Sequence, residues 1–143
     1  MEFSFIVLVG VLVAAVVYDL FYKRIPNWLT LGAAVLGLGL NATINGVVTF
    51  ANCFLGLLVA AAIGWSFWAA RMIGGGDHKL LLAVGAFVGY PLILPVSVAV
   101  GLAGGVQAVL WIIIKRHSWR GVPIPYSLAI AVGTLAVLLL KKF

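Results

Sequence analysis

Asp19 and Asp77 are the residues of this chain whose type and setting point to chemistry. Only three of its 143 residues are acidic, and these two lie beside long apolar runs. An ionised carboxylate is costly in hydrocarbon, so an acid kept there points to function rather than to solubility. Two acids in such a setting suggest a pair, and a pair suits proton chemistry, either acid–base catalysis or a proton relay.

The elements that must position them are membrane helices. Hydrophobic residues make up 65% of the chain and charged residues 8%, with a mean hydropathy of +1.26, where a soluble domain carries about a quarter charged residues. This composition predicts an all-α integral membrane protein, a single domain over residues 1–143. The net charge of +6 comes from short basic clusters between apolar runs, which suits loops beside anionic headgroups and excludes a nucleic-acid binder. Cys53 is the sole cysteine, so neither an internal disulfide nor a cysteine zinc site is available. It is expected to be a packing residue.

A helix needs about 20 apolar residues to cross the hydrocarbon core. Phe3 to Tyr22 reads as helix 1, broken only by Asp19, with neither the basic start nor the small-residue site of a signal peptide. Ile25 to Ala70 is uncharged and too long for one span; Asn41, Thr43, Asn45 and Gly46 supply turn chemistry that divides it into helices 2 and 3. Asn41-Ala42-Thr43 also matches a glycosylation sequon, a frequent chance pattern and a poor acceptor in a turn against the membrane. Leu80 to Ile114 divides at Gly89, Pro91 and Pro95 into a short helix 4 and a full helix 5. Gly121 to Leu140 makes helix 6. The prediction is a bundle of about six transmembrane helices with helix 4 short. Gly85 with Gly89, and Gly101 with Gly105, have the spacing that permits close helix contact in lipid.

Basic residues concentrate in cytoplasmic loops. Lys23 and Arg24, Arg71 and Lys79, and Lys115, Arg116 and Arg120 place seven of the nine basic residues on one side, with Lys141 and Lys142 opposite. Asp19 should then lie roughly 6 Å inside the level of Lys23, near the cytoplasmic end of helix 1. Asp77 lies on the same side, after Gly74, Gly75 and Gly76, which allow unusual backbone angles and close approach of another chain. Helix 4 has only about 13 residues, or about 20 Å, so its carboxylate is expected to be recessed to the depth of Asp19. Taken singly, each acid has a plainer reading: Asp19 paired with Lys23 at i+4, and Asp77 as the N-cap of helix 4.

The flanking residues carry a resemblance. DLFYKRIPN, from Asp19 to Asn27, resembles the first motif of bacterial prepilin peptidases, and GGGDHKLL, from Gly74 to Leu81, looks like their Gly-x-Gly-Asp-x-Lys element. PIPYSLAIAVG, from Pro123 to Gly133, is similar to the pattern that opens their last helix. The resemblance implies an intramembrane aspartic peptidase of the Gly-x-Gly-Asp type with Asp19 and Asp77 as its catalytic dyad. Two close carboxylates cannot both ionise easily, so one keeps a proton while the other activates water, and the mechanism requires no metal or cofactor. Carried over by position, Gly74 and Gly76 would shape the loop that delivers Asp77, and Lys79 would be a neighbouring charge. Arg24, Pro26 and Asn27 would fix the start of helix 2.

Substrates of the family are prepilins and pilin-like proteins, processed at the cytoplasmic side of the bacterial inner membrane. The chain looks like the short form found in tight-adherence (Flp) pilus systems, without the cysteine-rich and methyltransferase part of larger members. Archaeal preflagellin peptidases are a more distant resemblance, and presenilin-like proteases share the Tyr-Asp and Gly-x-Gly-Asp arrangement. Three details depart from the family pattern. His78 stands where an aliphatic residue is usual and, if protonated, would favour ionisation of Asp77; Ser127 and Leu128 replace a common glycine and proline. Outside proteolysis, a proton-coupled carrier using both acids as a relay and a non-catalytic pilus-assembly scaffold remain open on the sequence.

Overall fold

The computed structural model describes residues 2–114 and 125–142. Among these, six helices follow one another: α1 (Glu2–Tyr22), α2 (Asn27–Asn45), α3 (Val47–Ala69), α4 (Gly75–Val88), α5 (Ile93–Ile114) and α6 (Tyr126–Lys142). The chain is therefore all-α with a short fourth helix, as its hydropathy predicts. Four helices, α1, α2, α3 and α5, are long and apolar enough to cross a membrane, which makes this a multi-pass membrane protein. At 14 residues, α4 reaches only about 21 Å and cannot cross a hydrocarbon core of about 30 Å. The cluster Lys115, Arg116 and Arg120, the expected helix-6 start at Gly121, and Pro123 of the third motif lie outside the described residues.

The breaks between helices differ in detail from the sequence expectation. Asn41 and Thr43 are not turn residues but lie within α2, where the Thr43 hydroxyl donates to the Gly39 carbonyl at 2.9 Å. Asn41 is buried, and its Nδ2 donates to the carbonyls of Gly37 at 2.8 Å and Phe87 at 3.4 Å, which also removes it from any glycosylation surface. Of the four residues expected to divide this run, Gly46 makes the turn, at a φ of 85° that suits glycine. A second turn follows Gly89, at φ 69°. Pro95 falls in the first turn of α5, where a missing N–H costs no helical hydrogen bond.

The short helix is the centre of the bundle. α4 packs against all five other helices and buries Leu80, Leu81, Ala83, Val84, Gly85, Ala86 and Phe87. Leu8, Leu12 and Ala15 of α1, Ala33 of α2, Ile93 and Val96 of α5 and Ile130 of α6 complete this core. The outer faces are apolar as well, with Phe3, Val17, Leu36, Val98 and Leu102 exposed, as expected of helices whose outward side meets lipid.

Small residues set the closest approaches. A Cβ on Gly85 would stand 2.6 Å from the Gly56 carbonyl oxygen and 2.7 Å from the Ala60 Cβ, so the α3 and α4 backbones touch there. The expected partner spacing on α5 works differently: Gly101 and Gly105 have open space around them. The α5–α6 contact is made instead where Gly133 of α6 meets the Val100 backbone, at 2.6 Å from a notional Cβ. The same four-residue spacing thus packs a helix at one place and leaves bare backbone at the other.

Candidate active site

α1 ends at Tyr22, one turn after Asp19. Lys23 closes it with a left-handed φ of 55°, and its N–H donates to the Asp19 carbonyl at 3.0 Å. That link to Lys23 runs through backbone, whereas the Asp19 side chain accepts a hydrogen bond from the Ser127 hydroxyl at 2.5 Å. Pro26, in extended conformation, is the N-cap of α2, and its fixed φ sets the start of that helix with Asn27 as first residue. The Thr30 hydroxyl returns to the Asn27 carbonyl at 3.1 Å.

Asp77 is the third residue of α4 rather than its N-cap, a position taken by Gly74. Its carboxylate turns back to accept the Gly74 backbone N–H, half of a capping box in which the cap residue has no side chain to reciprocate. Gly76 lets this first turn approach the first motif: a Cβ there would stand 3.3 Å from the Ile25 Cβ. The ammonium of Lys79 donates to the Asn27 side-chain oxygen at 2.7 Å. Lys79 therefore serves as a tie between the starts of α4 and α2.

Both aspartates line one open cavity of about 1120 Å³. Its wall comes from the end of α1, the segment from Lys23 to Asn27, the glycine run before Asp77, the small residues Gly101, Gly105 and Ala108 of α5, and Tyr126. Arg24 and Arg71 line it as well. No serine, threonine, cysteine or histidine is among these described lining residues, and among the described residues there is no group of three or more His, Cys, Asp or Glu side chains able to hold a metal.

The charge state of Asp77, which lies outside the four spans, follows from its surroundings. Burial pushes its carboxyl up to about 7, the nearby Asp19 charge adds to the rise, and the Gly74 N–H opposes it. The arrangement holds a proton on Asp77 near neutral pH. Tyr126 is close enough to feel the Asp77 charge, a smaller influence on its phenol than its own burial, and both raise it. His78 does not supply the positive charge that its place beside Asp77 suggests. Burial, and then Lys79, hold it below its ordinary value, and its ring packs against Gly64 of α3 with a buried Nδ1 that has no hydrogen-bond partner among the described residues.

The α6 side of the site is the part sequence reasoning missed. Ser127 stood out there only as a departure from a resembled pattern. Gln107 on α5, whose Nε2 donates to the Pro125 carbonyl at 2.8 Å, gives no sequence signal for its part in holding the start of α6.

The comparisons with known proteins bear on the chain's family. The model of the type IV leader peptidase family matches residues 6–109, a stretch that includes both aspartates. A prepilin leader peptidase/N-methyltransferase of Xanthomonas campestris pv. campestris is 34% identical over 138 residues, covering 92% of this chain and 47% of that protein. The protein of the same description from Aeromonas hydrophila is 34% identical over 145 residues, covering 93% of this chain and 48% of its own length, and Aeromonas salmonicida has another at the same identity. The chain thus spans about half the length of these relatives. No solved structure matches it significantly. Since the family model takes in most of the chain, and the relatives align along nearly all of it, the chain belongs to the type IV leader peptidase family.

Proposed function

We propose that this chain is an intramembrane aspartic endopeptidase of the Gly-x-Gly-Asp type, with Asp19 and Asp77 as its dyad, that removes the leader from type IV prepilin-like proteins. The observation that carries the reading is the shared cavity, in a chain of the leader peptidase family. One carboxyl is biased to keep its proton while the other accepts a hydrogen bond, the division of roles an aspartic dyad requires.

Water held between the two acids adds through its oxygen to the scissile carbonyl carbon. Its proton passes to Asp19, and the proton of Asp77 goes to the carbonyl oxygen. The tetrahedral intermediate then collapses: the C–N bond breaks, the proton on Asp19 moves to the leaving nitrogen, and the diol returns a proton to Asp77. The recess at the start of α4 gives this reaction a partly desolvated setting at the membrane edge, where a basic leader meets an apolar helix.

The basic residues Lys23, Arg24, Arg71 and Lys79 support a cytoplasmic orientation for this end of the bundle, in the bacterial inner membrane that the prepilin reading calls for. Three of them line the cavity and would repel a basic leader, so recognition falls to the apolar helix and to backbone contacts near the glycine run. The test is the purified protein in liposomes with a prepilin-like substrate, read by mass spectrometry. The expected product is the substrate shortened by its leader; proton flux without cleavage would favour the carrier instead.

A further inference from the structure

We propose that Ser127 is a positioning residue for the Asp19 carboxylate, an inference that rests on the peptidase reading above. The Ser127 side chain is fully buried, and its hydroxyl donates to Asp19 Oδ2 at 2.5 Å. That is the short distance characteristic of a hydroxyl donating to an ionised carboxylate, and such bonds are about twice as strong as neutral ones.

The contact joins residues 108 positions apart, so it exists only when α6 is docked against α1. The docking is specific. Ser127 is the second residue of α6, and the segment just before it is held from α5 by the Gln107 bond to the Pro125 carbonyl at 2.8 Å. Tyr126 seats its ring against Gly104, one turn from Gln107 on the same helix, which adds a second hold on the first turn of α6. The serine hydroxyl is thereby presented to Asp19 from a rigid frame rather than from a loop.

The consequence is a division of labour between the two oxygens of Asp19. Oδ2 is engaged by Ser127, which fixes the side-chain torsion and leaves Oδ1 as the oxygen free to meet water in the cavity shared with Asp77. A carboxylate free to rotate presents either oxygen at varying angles, and misplacement by about 1 Å is enough to cost about a hundredfold in rate. Ser127 itself lies beyond the stretch matched by the family model.

The experiment compares wild type, Ser127→Ala, Ser127→Gly, Ser127→Thr and Asp19→Asn in liposomes with a prepilin-like substrate, measuring kcat, KM and Tm. Loss of one charge-assisted hydrogen bond to a reacting group should lower kcat on the order of 10- to 100-fold in both the alanine and glycine variants. KM should stay within about twofold, because the serine does not touch substrate. Threonine keeps the hydroxyl and should recover most of the loss. Alanine and glycine variants with wild-type kcat, beside an inactive Asp19→Asn, would overturn the inference and leave the peptidase reading standing. So would losses of kcat that merely follow losses of Tm. Equal processing by wild type and Asp19→Asn would instead remove the peptidase reading itself.

Discussion

Replacing Gly85 by alanine should damage both stability and catalysis, although the change adds one methyl group some 12 Å along α4 from Asp77. The new Cβ would lie 2.6 Å from the Gly56 carbonyl oxygen, 2.7 Å from the Ala60 Cβ and 3.0 Å from the Gly56 carbonyl carbon. Two of these three neighbours are helix backbone, which cannot rotate away. Restoring ordinary contact near 3.4 Å requires α3 and α4 to part by about 0.8 Å, and a gap of that size forfeits a quarter to a half of each dispersion contact it opens. Alanine gains about 0.5–1 kcal/mol over glycine inside a helix, but overpacking of this kind costs about 1–3 kcal/mol. The net loss is about 1–2 kcal/mol, or roughly 3–8 °C in Tm for a chain of this size. Because α4 carries Asp77, a shift approaching 1 Å should also lower kcat on the order of 10- to 100-fold. The assay is thermal unfolding in detergent beside substrate cleavage in liposomes, with Gly10→Ala and Gly39→Ala as controls, since both have open space, stand away from the cavity lining and should gain about 0.5–1 kcal/mol. Wild-type Tm and kcat for Gly85→Ala, or equal damage from Gly39→Ala, would refute the reasoning.

Activity should fall as pH rises through about 7, where Asp77 releases the proton that the reaction needs, and kcat should drop about tenfold per unit well above that value. A profile that is flat from pH 6 to 9 would contradict the assignment of the acid. Asn27→Ala and Lys79→Met should each reduce kcat/KM several-fold with little change in Tm, and the double variant should be no worse than either one, because one hydrogen bond joins them; additive losses in that cycle would show separate roles.

What the sequence made legible was whatever depends on short-range order. The uncharged runs gave the helices, because apolar length is a local property, and the rarity of acids singled out Asp19 and Asp77 before any fold was known. Placing the break between helices 2 and 3 was harder. Asn41 has turn chemistry, yet its amide is satisfied by the Gly37 and Phe87 carbonyls, the second on another helix, so tertiary contact overrides its local preference. Gly101 and Gly105 have the same spacing as Gly85 and Gly89, and only the position of neighbouring helices decides which glycines are pressed against a partner. The site followed the same rule. Its two acids were visible as types, while the partners that hold them, Ser127 for Asp19 and Asn27 for Lys79 beside Asp77, come from distant parts of the chain. His78 shows the converse: its sequence neighbour is Asp77, but its ring packs against Gly64, and burial holds it below its ordinary value, so the condition of a protonated ring, on which any influence over Asp77 depended, is disfavoured.

The central claim is that Asp19 and Asp77 together cleave a prepilin-like substrate. Its most direct test is co-expression of such a substrate with wild type, Asp19→Asn and Asp77→Asn, followed by mass spectrometry of the substrate N-terminus and confirmation that each variant is present in the membrane at the wild-type level. Asparagine keeps the size of each side chain and removes its acid, so each single variant should leave the leader intact while wild type removes it. Leader removal that survives either substitution, at equal enzyme level, would contradict the dyad.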